Sequence, residues 1–233
     1  MSYLTKKIII IDNSDLSYSG DDINGKTLRG TEASLILLSE QFFKMGIHVD
    51  YCNCLNITKK VNGVNYFNKD HINKNIIYDL AIVISDASQF SRVSSIKKAV
   101  FSNSNQPFEK FFRKKQLLPF LKFKPIVITL CDYQFDKRSF FTSFYGKKTI
   151  PITVDPKFLD VDINVNYLPE KKVVYNIRSN RNLDLLIKIW IEKIYPVNNE
   201  FKLYITPDLI EYTDKLKRHN IFLRNIGSRS EMI

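Results

Sequence analysis

The chain has 233 residues, 44% of them hydrophobic and 25% charged, and 35 Lys and Arg against 24 Asp and Glu give a formal net charge of +11. That balance can bury a core for one large domain or two small ones, and it excludes a chain too polar to fold. The apolar run at Ile8–Ile11 is too short for a secretory signal, and no uncharged apolar stretch approaches the length of a membrane span.

KKIIIID (6–12) is a short apolar run ending in polar residues, the pattern of a buried strand. A polar loop follows to about residue 30. TEASLILLSEQFFKMG (31–46) reads as a helix that starts at Thr31, stops at Gly46 and carries Ala33, Ile36, Leu37 and Phe43 on one face. HVDYCNC is the next strand, and YDLAIVIS (78–85) is a third, apolar enough to be covered on both faces. PFEKFFRKKQLLPFL (107–121) reads as a basic amphipathic helix. It is expected to pack Phe111, Phe112, Leu117 and Leu118 inward and to turn Arg113, Lys114 and Lys115 to solvent, a face suited to anionic lipid. PIVITL (125–130) is a strand, DYQFDKRSFFTSFYG a helix and KKTIPI a short strand. The alternation predicts an α/β fold: a parallel sheet with helices on both faces, spanning residues 1–153.

Residues 154–171 are polar, contain two prolines and read as a linker. A second alternating set occupies 172–233: KKVVYNI, NLDLLIKIWIEKIY, EFKLYIT, PDLIEYTDKLKRH and NIFLRNI, about three strands and two helices. The expected organisation is therefore a Rossmann-like domain, a linker and a partial second Rossmann-like domain.

Three short patterns invite chemistry. Cys52 and Cys54 alternate in YCNCL and are expected on one face of a strand; with Cys131 they read as reduced structural thiols, and no CxxC or His pair accompanies them to form a metal site. GDDINGKT (20–27) matches the phosphate-cradling pattern G-x-x-x-x-G-K-[ST], and IVISD (82–86) resembles the apolar strand plus Asp that holds magnesium in such enzymes. A phosphate loop follows its strand directly and opens a helix; here the first strand ends about eight residues before Gly20, and Asp21 and Asp22 put carboxylates where phosphate would sit. A nucleotide hydrolase using Lys26 and Thr27 is thus an alternative rather than the main reading. The Asp-x-Asp at 160–162 falls in the linker and reads as a solvated loop.

The segment LRGTEASLILLSEQFFKMGIHVDYCN (28–53) resembles the "GG-x-E … GH-x-V" segment of the GT-B glycosyltransferases of family 4. Gly30 stands at the second glycine and Glu32 at the acidic position, while Arg29 replaces the first glycine. The resemblance continues in order through YDLAIVIS, AVFSNSNQPFEKFFRKKQLLPFLKFKPIVITLCDYQ (99–134), IPITVDPKFL (150–159) and KVVYNIRSNRNLDLLIKIWIEKIYP…EFKLYI. It implies donor-phosphate contacts from Gly30, Arg178 and Arg181, and acceptor or cleft positions at Thr31, Glu32, Ser104 and Asn105. Arg suits a diphosphate because its planar fork donates in pairs. No catalytic residue is assigned, and Ser104 stands where the family has a His.

The resemblance implies retaining transfer of a sugar from a nucleotide-sugar to a cell-envelope glycan or glycolipid. It implies neither a metal nor a resident cofactor, since the nucleotide-sugar is a substrate. It places the protein in the cytoplasm, with peripheral contact extending to an anionic membrane at its inner face. Nucleic acid is not among the expected partners, because no nucleic-acid module is recognisable; the excess charge fits either an anionic partner or a composition rich in Lys, Asn and Ile. The family's Glu-x7-Glu segment would fall beyond NIGSRSEMI. The expectation is accordingly either a truncated product of a longer gene or a reduced relative without normal catalysis, with a non-catalytic phosphate- or glycan-binding remnant as the further alternative.

Overall fold

The computed structural model describes residues 6–25, 28–102, 108–136, 144–151, 170–175, 182–205 and 214–223. The chain divides into two compact units, Met1–Asp155 and Pro156–Ile233. The linker expected at 154–171 lies outside the described residues except for Glu170 and Lys171.

In the first unit the elements run β1 (Lys7–Ile11), α1 (Asp22–Gly25), α2 (Gly30–Lys44), β2 (His48–Asn53), β3 (Lys59–Val61), β4 (Val64–Asn68), β5 (Ile77–Ile84), β6 (Ser94–Phe101), α3 (Phe108–Arg113), α4 (Leu117–Phe123), β7 (Ile126–Thr129), α5 (Asp132–Asp136) and β8 (Lys147–Thr149). The eight strands order as β3-β4-β2-β1-β5-β6-β7-β8, and every pair is parallel except β3 with β4.

β1 is central because four isoleucines in succession bury both of its faces. Ile8 and Ile10 join Leu35 and Ile36 of α2, Val49 and Tyr51 in one core layer. Ile9 and Ile11 join Cys52, Val83, Phe111 and Phe120 in the other. The period of two along β1 thus sorts one strand between two helical layers, giving a Rossmann-like three-layer unit.

Three strands were not expected. β3 and β4 form a hairpin closed by Asn62 and Gly63, both at positive φ (48° and 84°); an Asn-Gly pair favours this turn because it fits the strand twist. A Cβ on Gly63 would also strike the Phe43 ring at 2.1 Å, so the position demands glycine twice over. β6 reads poorly as a strand because Lys97 and Lys98 interrupt its apolar pattern, yet its last three residues are buried.

Other expectations are corrected. The helix opens at Gly30, with extended Arg29 as N-cap and no side-chain cap, so Thr31 lies inside the helix rather than starting it. Gly46, at φ 78°, ends it as expected. Cys52 is buried in β2, whereas Cys54 lies past the strand with its Sγ 3.3 Å from the Ser14 carbonyl, so they do not share a strand face. The basic helix is two short helices. Pro119 cannot follow four residues after Lys115 within one helix without clashing with its carbonyl, and Lys115 turns left-handed (φ 53°) instead. Phe111 and Phe120 face the core, but Phe112 and Leu118 are exposed.

In the second unit, β9 (Lys172–Tyr175), β10 (Lys202–Ile205) and β11 (Ile221–Leu223) form a parallel sheet of order β11-β10-β9. α6 (Leu183–Ile189), continued by a π-helical turn at Trp190–Ile194, and α7 (Asp214–Arg218) supply its core partners. Trp190 is buried against Leu183, Leu203, Leu216 and Ile221, and its indole N–H donates to the His219 carbonyl at 2.8 Å.

Candidate functional site

The chain steps outward from β1 to β2 and β4, then returns to β5 and steps the other way. The strand order reverses between β1 and β5, and the crevice beyond the C-terminal ends of these strands is where open α/β sheets bind ligands. α2 begins on that edge. Three residues (45–47) join its end to the start of β2, and 15 residues at about 1.5 Å each carry its start back past the far end of the sheet.

The edge is built from polar residues that follow each strand. After β1, Asp12 is buried and accepts from the Ser14 amide (2.9 Å), the Ser14 hydroxyl (2.8 Å) and the Tyr18 hydroxyl (2.5 Å). Tyr18 in turn accepts from the Tyr51 hydroxyl at 2.7 Å. Burial, then the neighbouring tyrosine and Asp12, push the Tyr18 phenol far above its ordinary value. Burial and Asp12 do the same to Tyr51, where Glu32 adds a smaller push. Asn13 bridges outward: its amide donates to Asp86 at 3.4 Å and its oxygen accepts from Lys69, after β4, at 3.2 Å.

After β5, Ser85 is held left-handed at φ 59°, a strained conformation for a residue with a side chain. Asp86 follows and caps a 3-10 turn at Ala87–Arg92. Its carboxylate accepts from the Ser88 amide (3.0 Å) and hydroxyl (2.7 Å), Gln89 (3.0 Å) and Gln116 (2.9 Å). Burial alone would raise this carboxyl, but the hydrogen bonds from Gln116, Gln89 and Ser88 outweigh it and hold it below its ordinary value. These donors occupy the oxygens that a magnesium ion would need, so Asp86 serves here to tie the turn to the corner of the neighbouring helices.

The start of α2 is different in kind. A Cβ on Gly30 would meet nothing within 4 Å. The Arg29 side chain does not cap the helix. Glu32 is 4% exposed; its Oε1 lies 3.6 Å from Arg29 Nε, and its Oε2 has no hydrogen-bond partner. A buried carboxylate oxygen left unmatched is costly unless something comes to meet it.

Gly20–Gly25 is not built as a phosphate cradle. Gly20 is packed so closely that a Cβ would lie 2.9 Å from Val61, α1 is a single turn, Asp21 pairs with Lys59 at 2.9 Å, and Asp22 accepts from the Ser19 amide at 2.8 Å. Lys26 and Thr27 lie outside the described residues, as do Ser104, Asn105, Arg178, Arg181 and the Asp-x-Asp at 160–162. Of the expected site residues, Gly30, Thr31 and Glu32 are therefore the described ones, and they adjoin on one helix start. Asp12, Asn13, Ser85 and Gln116 escaped sequence reading. The available signal was that Asp12 and Ser85 each end a long apolar strand.

No protein-family model matches the chain, and no curated protein matches it. Among solved structures, it is similar to a crystal structure of "the Glycotransferase of kitacinnamycin", with a TM-score of 0.50 and 9% identity over 94% of this chain and 70% of that one. The chain has a glycosyltransferase-like fold. At that identity the likeness is one of fold, and it agrees with the mixed α/β architecture and the mainly parallel sheet. No described helix is long and apolar enough to cross a membrane.

Proposed function

We propose that this glycosyltransferase-like chain transfers a sugar from a nucleotide-sugar to a glycan or glycolipid hydroxyl, in the manner of the family 4 GT-B enzymes that its sequence resembles. The observation that carries the reading is the start of α2. It sits at the edge where the strand order reverses, with open space at Gly30 and an unmatched, buried Glu32 oxygen beside it. The positive end of a helix suits a phosphate, and the Glu32 oxygen suits a sugar hydroxyl, which donates to it.

In the reaction, the bond between the anomeric carbon and the donor phosphate oxygen breaks, a bond from that carbon to the acceptor oxygen forms, and the acceptor's proton passes to the departing phosphate. Arg178 and Arg181 are the proposed partners of the leaving diphosphate, with Thr31, Ser104 and Asn105 on the acceptor side. The reading calls for no metal, because arginine and helix amides supply the positive potential. The acceptor is proposed to be a cell-envelope glycan or glycolipid, handled in the cytoplasm.

The test is to incubate residues 1–233 with a panel of nucleoside diphosphate sugars, with and without acceptor extracts, and to follow nucleoside diphosphate release. Arg178→Ala/Arg181→Ala removes two charged donors to the diphosphate, so release that falls at least about tenfold in this variant supports the reading. Binding of a nucleotide-sugar without release would leave a binding module, and binding of none would overturn the proposal.

A further inference from the structure

Beneath the start of α2 two buried phenols are linked to a carboxylate, and the direction of their protons bears on Glu32. Tyr18 and Tyr51 share a core layer with Leu35 and Ile36 of α2. Glu32, Leu35, Ile36 and Ser39 are the buried residues of that helix and recur at i, i+3, i+4 and i+7, so Glu32 is turned toward the same layer. Burial and Asp12 raise the Tyr51 phenol most and Glu32 adds to the push, which places the Glu32 carboxylate within the field of that phenol. Tyr66, whose ring centroid lies 5.3 Å from that of Tyr51, is raised by burial, then by Glu40 and Asp21. Tyr51 is thus the phenol that joins Glu32 to Tyr18.

A hydroxyl has one proton to give. Tyr18 gives its proton to the Asp12 carboxylate at 2.5 Å, so at 2.7 Å its oxygen can only accept from Tyr51, whose own proton is spent there. Both protons therefore run toward Asp12 and away from Glu32. That direction accounts for the Glu32 Oε2 that is buried beside a phenol and has no donor. The far end of the chain is fixed. Asp12 also accepts from the Ser14 amide and hydroxyl, and the Asn53 amide donates to the Tyr18 carbonyl at 2.7 Å. Hydrogen bonds in such a chain polarise one another, so its direction is set as a unit.

We infer that Asp12 is a positioning residue for the ligand site: through Tyr18 and Tyr51 it draws the phenol protons away from Glu32 and keeps a Glu32 oxygen open for a hydroxyl of the ligand. The inference rests on the reading that a ligand hydroxyl meets Glu32, and adds that Asp12, without touching the ligand, decides whether that oxygen is open. An amide at position 12 reverses the direction. Its nitrogen, in the place of Oδ2, donates to Tyr18 and to the Ser14 hydroxyl, while its oxygen keeps the Ser14 amide. Tyr18 then donates to Tyr51 and Tyr51 to Glu32, so the oxygen is filled from within the protein.

The experiment has two readouts on the full chain. One is NMR of isotope-labelled glutamate carboxyls, with the Glu32 resonance assigned by its loss in Glu32→Gln. The other is titration calorimetry with the nucleotide-sugar that the parent binds most tightly. In Asp12→Asn the Glu32 resonance should move and the affinity should fall about tenfold, because the ligand then competes with an internal donor. Asp12→Asn/Tyr51→Phe removes the hydroxyl through which the reversed chain reaches Glu32. The resonance should return toward its parent position, and the affinity should recover to within about threefold, whereas a merely structural loss at Asp12 would be deepened by the second substitution. In a Tyr18→Phe background the chain is cut, and adding Asp12→Asn should leave the resonance in place. A parent that binds no nucleotide-sugar would overturn the transfer reading and leave the resonance to judge the chain. An unmoved resonance in Asp12→Asn, no recovery in the double variant, or an equal movement in the Tyr18→Phe background would each overturn the inference.

Discussion

β1 and β9 look alike as sequence, KIIII and KVVY, and fare differently. In β1 every isoleucine is buried, between β2 and β5 and under helices on both faces. In β9, Val173 is 39% exposed and Val174 48%, and its described pairing is with β10. A β-branched run specifies extended backbone; how much it stabilises depends on what the topology brings to its faces. Chain order decides this, because β1 is the strand from which the first sheet grows in both directions.

The largest expected effect breaks the central strand. Ile10→Ala should destabilise the first unit by about 2–5 kcal/mol, read as a lowered urea midpoint by circular dichroism. Val174→Ala, half exposed, should cost about 0.5–1 kcal/mol, read by the fluorescence of Trp190, which is the chain's single tryptophan and lies in the second unit. Equal costs would show that something covers β9. Next comes the hairpin: Gly63→Ala must move the Phe43 ring and adopt a positive φ, so the variant should be about 1–3 kcal/mol less stable.

The comparison also has a pH signature. The first unit buries Tyr18, Tyr51, Tyr66 and Tyr78, each with its phenol raised above the ordinary value of 10.0, chiefly by burial. A raised folded pKa means that the stabilisation is complete below 10.0 and is lost as pH rises beyond it, because the unfolded chain ionises first. Asp86 works in the other direction: its carboxyl is held below 3.8, so its contribution is present above that value and fades as pH falls further. Alkaline titration should therefore unfold the first unit cooperatively, with ionisation of these four tyrosines and loss of circular dichroism coinciding above pH 10.0. Ionisation of Tyr18, Tyr51, Tyr66 and Tyr78 near 10.0 with the fold intact would contradict the burial.

Much of the strand–helix alternation was legible because the apolar runs were long. Lys7–Ile11 and Ile77–Ile84 were plain, and Gly46 marked the end of α2. The misses have physical causes. β6 hides behind Lys97 and Lys98, and the Asn62–Gly63 turn sits between strands too short to show a period. The α3–α4 segment looked like one helix because the apolar spacing runs on through residues 107–121; the break comes from Pro119 and from Gln116, whose partners lie thirty residues earlier at Asp86 and Ala87. At the candidate site, Gly30 and Glu32 could be singled out by local pattern. The Asp12–Tyr18–Tyr51 chain could not, since it depends on β1 lying beside β2.

The smallest expected effect on stability tests the central claim, that ligand binds at the start of α2. A side chain at Gly30 meets open space, so Gly30→Val should leave the unfolding midpoint unchanged while filling the volume where a phosphate would approach the helix amides. Titration calorimetry of the parent and Gly30→Val, with the nucleotide-sugar that the parent binds most tightly, is the direct measurement. The account predicts binding at least about tenfold weaker in the variant, as expected when a charge-assisted hydrogen bond is blocked. Equal affinity in two equally stable proteins would place the ligand elsewhere and contradict it.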